Sequence, residues 1–186
     1  MNPSASVQEI MQLFRQRGQE IYWKGINIVE HMLQCANLAA KETTDEEVII
    51  AAFLHDIGHL LDTKQLEKFD GENHAFIGAK FVQSMGFSTR IAVLIQNHIE
   101  AKRYLSLVDT FYYQSLSELS KQNLAHQGGR MTTAEAMAFE ESPYYEWNVK
   151  MRKWFEADKA AIQLDKDLEK YQSLMLHHLE LQMSAV

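Results

Sequence analysis

Apolar residues recur at intervals of three, four and seven along nearly the whole chain, and no stretch alternates strictly between apolar and polar positions. The first spacing lines one face of an α-helix, whereas alternation is what a half-buried strand needs. The pattern therefore predicts an all-α protein. Its helices fall over residues 7–19, 27–41, 44–58, 73–85, 88–102, 110–125, 132–139, 143–158 and 165–181, with a loop over 60–72. Local chemistry supplies the boundaries. Thr44 with Glu47 three residues on reads as a capping box, and Ser88 as an N-cap. Gly86 and the pair Gly128-Gly129 read as stops, and Pro143 as a helix opening. Eight or nine helices then form a compact bundle.

Composition narrows the class. A chain of 186 residues, 46% of them hydrophobic, is long enough to bury one core, so a single domain over residues 1–186 is expected, with a C-terminal helix over about 165–182. The net charge of -7 speaks against a nucleic-acid-binding surface. No run approaches the ~18 apolar residues of a membrane span. Residues 1–12 lack the basic start and apolar stretch of a secretory signal, so a cytoplasmic location is expected. Cys35 is the single cysteine, which excludes an internal disulfide and a thiolate zinc cluster. Its place one turn after His31 suits a small core residue. Nothing demands more than a monomer, and the oligomeric state stays open.

One set of positions stands out. His55-Asp56 interrupts an apolar helix in the run Phe53-Leu54-His55-Asp56-Ile57-Gly58-His59. Burying such a pair without compensation is costly. His31, His74, His98 and Asp158 also sit on apolar helix faces: His31 with Ile28 and Cys35, His74 with Ile77 and Gly78, His98 with Leu94 and Ile95, Asp158 with Phe155 and Ile162. A lone histidine so placed is more often a hydrogen-bonded core residue. Several independent costly burials are a poorer explanation than one shared metal site. Six nitrogen and oxygen ligands exceed what one reactive ion takes from a protein, so two ions are expected. The donors suit iron, manganese, zinc or magnesium alike. Asp56 is the natural bridge, if the helix end near Gly58 relaxes the ~100° that separates neighbouring side chains.

An anion pocket beside the metals is also expected. Lys102 follows His98 by one turn, and His59 follows His55 by one turn. Ser120, Asn123 and Gln127 share a face of the helix that ends at Gly128-Gly129, where bare backbone can approach an anion. This stripe reads equally well as solvent-facing. Arg103 and Arg130 are weaker candidates for this pocket, with a surface role as the default; His126 is ambiguous, and His177 and His178 read as surface or core-edge residues.

The order His31 … His55-Asp56 … His74 … His98 … Asp158 resembles the HD-domain superfamily. The bare His … His-Asp … Asp pattern is shared by its phosphohydrolases. With His74 and His98 added, it resembles the superfamily's mixed-valent di-iron oxygenases, which include myo-inositol oxygenase and the organophosphonate-cleaving oxygenases. The latter are closer, through His55-Asp56-Ile57-Gly58-His59, His98-Ile99-Glu100-Ala101-Lys102-Arg103-Tyr104 and Gln127-Gly128-Gly129-Arg130-Met131. The similarity covers about residues 20–165. It implies an Fe(II)/Fe(III) pair held by His31, His55, Asp56, His74, His98 and Asp158. It also implies dioxygen as co-substrate and cleavage of the C–P bond of a small 1-hydroxyphosphonate to a carboxylic acid and phosphate. By position, His59, Lys102, Ser120 and Asn123 would hold the phosphonate, with Gln127 beside them. Tyr22 would occupy the open iron position until substrate arrives.

The resemblance breaks at one point. The aminophosphonate member of the family has a glutamate three residues after that tyrosine, associated with the substrate's amine; here the position is Gly25, with Lys24 beside it. A substrate ammonium would lack its partner and face Lys24, with Glu20 and Glu30 able to substitute only in a rearranged loop. Hydroxymethylphosphonate, giving formate, is therefore the favoured substrate, with 2-amino-1-hydroxyethylphosphonate, giving glycine, left open. An HD phosphohydrolase acting on a nucleotide or phosphate ester through metal-activated water is the alternative. A non-catalytic HD module is a third reading, disfavoured by the intact ligand set.

Overall fold

The structure, a computed structural model, describes residues 2–19, 21–23 (backbone only), 25–61, 73–157 and 162–184. Eleven α-helices are present among them: α1 Pro3–Arg17, α2 Ile28–Glu42, α3 Glu46–Leu54, α4 His74–Ser84, α5 Thr89–Gln96, α6 His98–Val108, α7 Thr110–Ser115, α8 Glu118–His126, α9 Thr133–Glu140, α10 Tyr145–Glu156 and α11 Leu164–Ser184. The all-α expectation holds, with one addition. A short antiparallel hairpin, β1 Ile21–Trp23 and β2 Ile26–Asn27, joins α1 to α2. Two short strands carry too few residues for alternation to be read. Gly25, at φ +78°, supplies the left-handed turn between them.

The helix boundaries follow side-chain hydrogen bonds, and several differ from expectation. Asp45, not Thr44, caps α3, accepting from the N–H groups of Glu47 and Val48. No capping box forms with Glu47, which binds Arg90 and Ser88 instead. A capping box does occur at Asn27 and Glu30, at the start of α2. The helix expected over 88–102 breaks at Asn97, and that over 110–125 breaks at Leu116, with Ser117 capping α8. These two breaks raise nine predicted helices to eleven. Pro143 lies just ahead of α10, which starts at Tyr145.

Every residue of α3 from Val48 to Leu54 is buried. A helix apolar on all sides must be surrounded, and α2, α5 and α11 pack about it. A smaller cluster, with Tyr104, Leu105, Leu124 and Phe139, joins α6 to the segment from α7 to α9. The polar residues discussed next lie where these two cores meet. No described helix is long and apolar enough to cross a membrane.

Candidate metal centre and substrate pocket

The central helix delivers the first two groups. His55 is the C-cap of α3, and Asp56, at φ −103° and ψ 12°, leaves helical geometry before a 3-10 turn over Ile57–Leu60. The relaxation expected near Gly58 thus begins at Asp56 and turns its carboxylate towards His55. Gly58 brings in the third group. A Cβ there would stand 2.0 Å from the carbonyl oxygen of His74, so the bare backbone lets the start of α4 close onto the turn. Gly78, one turn along α4, faces the same contact at 3.1 Å from the Gly58 nitrogen. His31 projects from α2 and His98 is the first residue of α6.

The result is a carboxylate between two pairs of imidazoles. His31 Nε2 and His55 Nε2 are 3.2 Å apart and lie 3.7 and 3.0 Å from Asp56 Oδ2. His74 Nε2 and His98 Nε2 are 3.0 Å apart and lie 3.5 and 3.8 Å from Asp56 Oδ1. Two imidazole nitrogens bound to one ion at about 2.1 Å and at right angles stand about 3.0 Å apart. Each oxygen of Asp56 therefore faces one pair spaced as two ligands of one ion are. The residues fit two ions sharing a carboxylate.

Orientation and charge agree. The Nδ1 of His55 lies 2.9 Å from the Ala52 carbonyl and that of His98 lies 2.8 Å from the Ile95 carbonyl. A carbonyl only accepts, so Nδ1 carries the hydrogen and Nε2 offers its lone pair. Burial, with His55 alongside, lowers the pKa of His31 to about 3; burial lowers that of His74 to about 4 and holds His98 well below its ordinary value. Burial alone would raise the Asp56 pKa, but His55 and the neighbouring imidazoles outweigh it and hold the carboxyl well below its usual range. His31, His74 and His98, neutral at ordinary pH, stand beside an ionised carboxylate, which readies these groups for cations. Cys35, buried as expected, has its Sγ 3.9 Å from His31 Nε2. Its thiol pKa is pushed up by burial, then by Asp56.

These residues form the floor of a cavity of about 530 Å³. His59, Lys102, Ser120, Asn123 and Gln127 all line it, so the polar stripe of α8 faces the cavity. His59 stacks on His74 with ring centroids 3.9 Å apart. Lys102, only 5% exposed, has its Nζ 3.4 Å from Gln127 Oε1. Its pKa is lowered to about 8, by burial and then by Arg152. His126 also lines the cavity. Asp158 and Lys24 lie outside the described residues, as does the side chain of Tyr22.

Phe155, Arg152 and Glu156 are among the lining residues that escaped the sequence reading as site residues. Phe155 stacks on His55 at 3.8 Å between centroids. Arg152 enters the cavity, donating from Nε to the Tyr112 hydroxyl at 2.9 Å and pairing through Nη2 with Glu156, which also lines the wall. An Arg and a Glu four residues apart read as an ordinary surface pair, and no local feature of the sequence marked Arg152 and Glu156 otherwise. Arg103 is a correction. Expected at the surface, it is largely buried and tied to Glu100, Glu135 and Gly129. Arg130 stacks over Tyr113, 3.7 Å from the ring centre.

The chain is similar in sequence to known proteins. The HD domain matches residues 28–147. An uncharacterised protein of Acanthamoeba polyphaga mimivirus is 35% identical over 94% of this chain and 82% of its own. The hydroxymethylphosphonate dioxygenase of Gimesia maris is 33% identical over 91% of this chain and 86% of its own. The [1-hydroxy-2-(trimethylamino)ethyl]phosphonate dioxygenase (glycine-betaine-forming) of Leisingera caerulea is 34% identical over 87% and 84%. With the HD match over more than half the chain, these relatives over most of it, and a histidine–aspartate cluster built for metal, the chain belongs to the HD-domain family and to its phosphonate dioxygenases.

Proposed function

We propose that this protein is a di-iron dioxygenase that oxidatively cleaves the C–P bond of hydroxymethylphosphonate, releasing formate and phosphate. The reaction balances with one O2: HOCH2PO3H2 + O2 gives HCOOH + H3PO4. The observation that carries the reading is the Asp56 carboxylate, with one oxygen facing each histidine pair. His31, His55, Asp56, His74, His98 and Asp158 are the proposed ligands. Two iron ions, as an Fe(II)/Fe(III) pair, would supply dioxygen activation and Lewis-acid contact with the substrate oxygens. The chain's own groups do the rest. Lys102 sets an ammonium against the phosphonate, with Arg152 adding positive charge to the same wall. His59, Ser120, Asn123 and Gln127 offer hydrogen bonds to its oxygens. Phe155 and the buried imidazoles keep bulk water from the floor.

Charge favours the substrate without an amine. The carboxylates lining the described cavity are Asp56, facing four histidines, and Glu156, paired with Arg152. Neither is left for a substrate ammonium. The position where a relative of the aminophosphonate type carries a glutamate is Gly25, whose φ of +78° strains any side-chain residue.

The direct test is anaerobic loading with Fe(II), then O2 with hydroxymethylphosphonate, following phosphate, formate and O2 uptake. Phosphate and formate should appear in step and only with O2. Turnover of 2-amino-1-hydroxyethylphosphonate alone would overturn the substrate assignment, and O2-independent phosphate release from nucleotides would move the protein to the hydrolases.

A further inference from the structure

Helix α8 supplies the polar wall of the cavity, yet the side chain it buries is Leu124. So little apolar burial leaves the helix weakly anchored along its length. Its C-terminal end is held by a different device. Arg103, the neighbour of Lys102 on α6, donates from Nε to the Gly129 carbonyl at 3.1 Å. Its Nη1 binds Glu100 at 2.8 Å and its Nη2 binds Glu135 at 2.7 Å. Glu135 also closes the capping box of α9, accepting from the Thr132 N–H at 2.7 Å. One guanidinium thus joins α6, the end of α8 and the start of α9.

The turn it grips is made for that contact. Gly128 and Gly129 have φ of +98° and +74°, and a Cβ on Gly128 would stand 3.3 Å from the guanidinium carbon. Consecutive residues of α6 therefore take the end of α8 from two sides. Lys102 reaches Gln127 inside the cavity, and Arg103 holds the Gly129 carbonyl outside it. A planar fork serves three acceptors at fixed angles, which an ammonium does not.

We propose that Arg103 is a positioning residue for the anion end of the pocket: its clamp on the Gly128-Gly129 turn sets α8, and with it Gln127 against Lys102, and so governs substrate affinity. The proposal rests on the phosphonate-pocket reading above. Its test compares the iron-loaded protein with Arg103→Ala, Arg103→Lys, Glu135→Gln and Lys102→Ala. KM and kcat for hydroxymethylphosphonate, iron content, and amide hydrogen exchange over residues 118–127 are read in each.

Arg103→Ala should raise KM about tenfold or more, the loss of one charge-assisted clamp, with iron content and kcat near those of the parent. Exchange should quicken in α8 and not in α2 or α3. Arg103→Lys should restore part of the KM. Glu135→Gln, which keeps an acceptor for the Thr132 cap, should shift KM and α8 exchange in the same direction and guards against Arg103→Ala failing to fold. Unchanged α8 exchange in both Arg103→Ala and Glu135→Gln would overturn the clamp, as would a matched loss of kcat and iron. A raised KM in Lys102→Ala alone would discard the clamp and keep the pocket. An unchanged KM in both Lys102→Ala and Arg103→Ala would remove the pocket reading and the proposal with it.

Discussion

Asp56 carries more of the site than any other side chain, because both of its oxygens are committed to different histidine pairs. Asp56→Ala should therefore lose metal together with activity, and metal analysis of the purified variant checks this. Lys102→Ala should keep its metal and weaken substrate binding. Removing one contact between a charged group and an anion costs about 1.5–3 kcal/mol, or roughly ten- to hundredfold in KM. An unchanged KM would mean that the anion sits elsewhere. The same residue sets a pH limit. A lysine with its pKa lowered to about 8 is charged below that pH and neutral above it. KM for the phosphonate should rise as pH increases through about 8, at constant metal content, in a steady-state pH series.

At the scale of the element, the site depends on where helices stop. His55 and Asp56 act together because α3 ends between Leu54 and the 3-10 turn, and His98 points inward because a new helix starts after Asn97. The turn and α4 touch backbone to backbone at Gly58. Gly58→Ala would put a methyl group 2.0 Å from the His74 carbonyl oxygen, where only main-chain movement makes room. We expect it to cost about 2 kcal/mol or more, within the range for overpacking, and to weaken metal binding by displacing His74. Thermal melting and metal titration of the variant would check both; a normal melting temperature with full metal content would contradict this packing argument.

The whole molecule encloses four imidazoles and a carboxylate between its two cores, and stability should reflect that. Ligands that bind only the folded state stabilise it by mass action, so chelation should lower the melting temperature. Acid should act on the metal-free protein in a definite window. His31 and His74 have folded pKa values of about 3 and about 4, below the ordinary 6.5, so between those limits the unfolded chain binds more protons. Stability is then lost as pH falls from about 6.5 towards 4. Each histidine contributes up to roughly 1.4 kcal/mol per pH unit. The lowered Asp56 pKa extends the loss to lower pH. Melting curves of chelated protein between pH 7 and 4 would show it, and a flat profile would contradict neutral, buried imidazoles.

The helical class, the core faces and the candidate ligands His31, His55, Asp56, His74 and His98 were legible in the sequence, because helical periodicity is local and a buried charge on an apolar face announces itself. The lysine one turn after His98 was legible for the same reason. Tertiary structure alone decided that the four histidines divide into two pairs, one to each oxygen of Asp56, since pairing depends on how α2, α3, α4 and α6 pack. It also decided which way α8 faces. The spacing of Ser120, Asn123 and Gln127 fits solvent or cavity equally, and only the clamp and the neighbouring helices choose. The hairpin, the breaks at Asn97 and Leu116, the entry of Arg152 into the cavity and the grip of Arg103 on the Gly129 carbonyl were not readable. The two arginines depend on partners far along the chain, Arg152 on Tyr112 and Arg103 on Gly129 and Glu135, while their local signal was that of an ordinary surface helix.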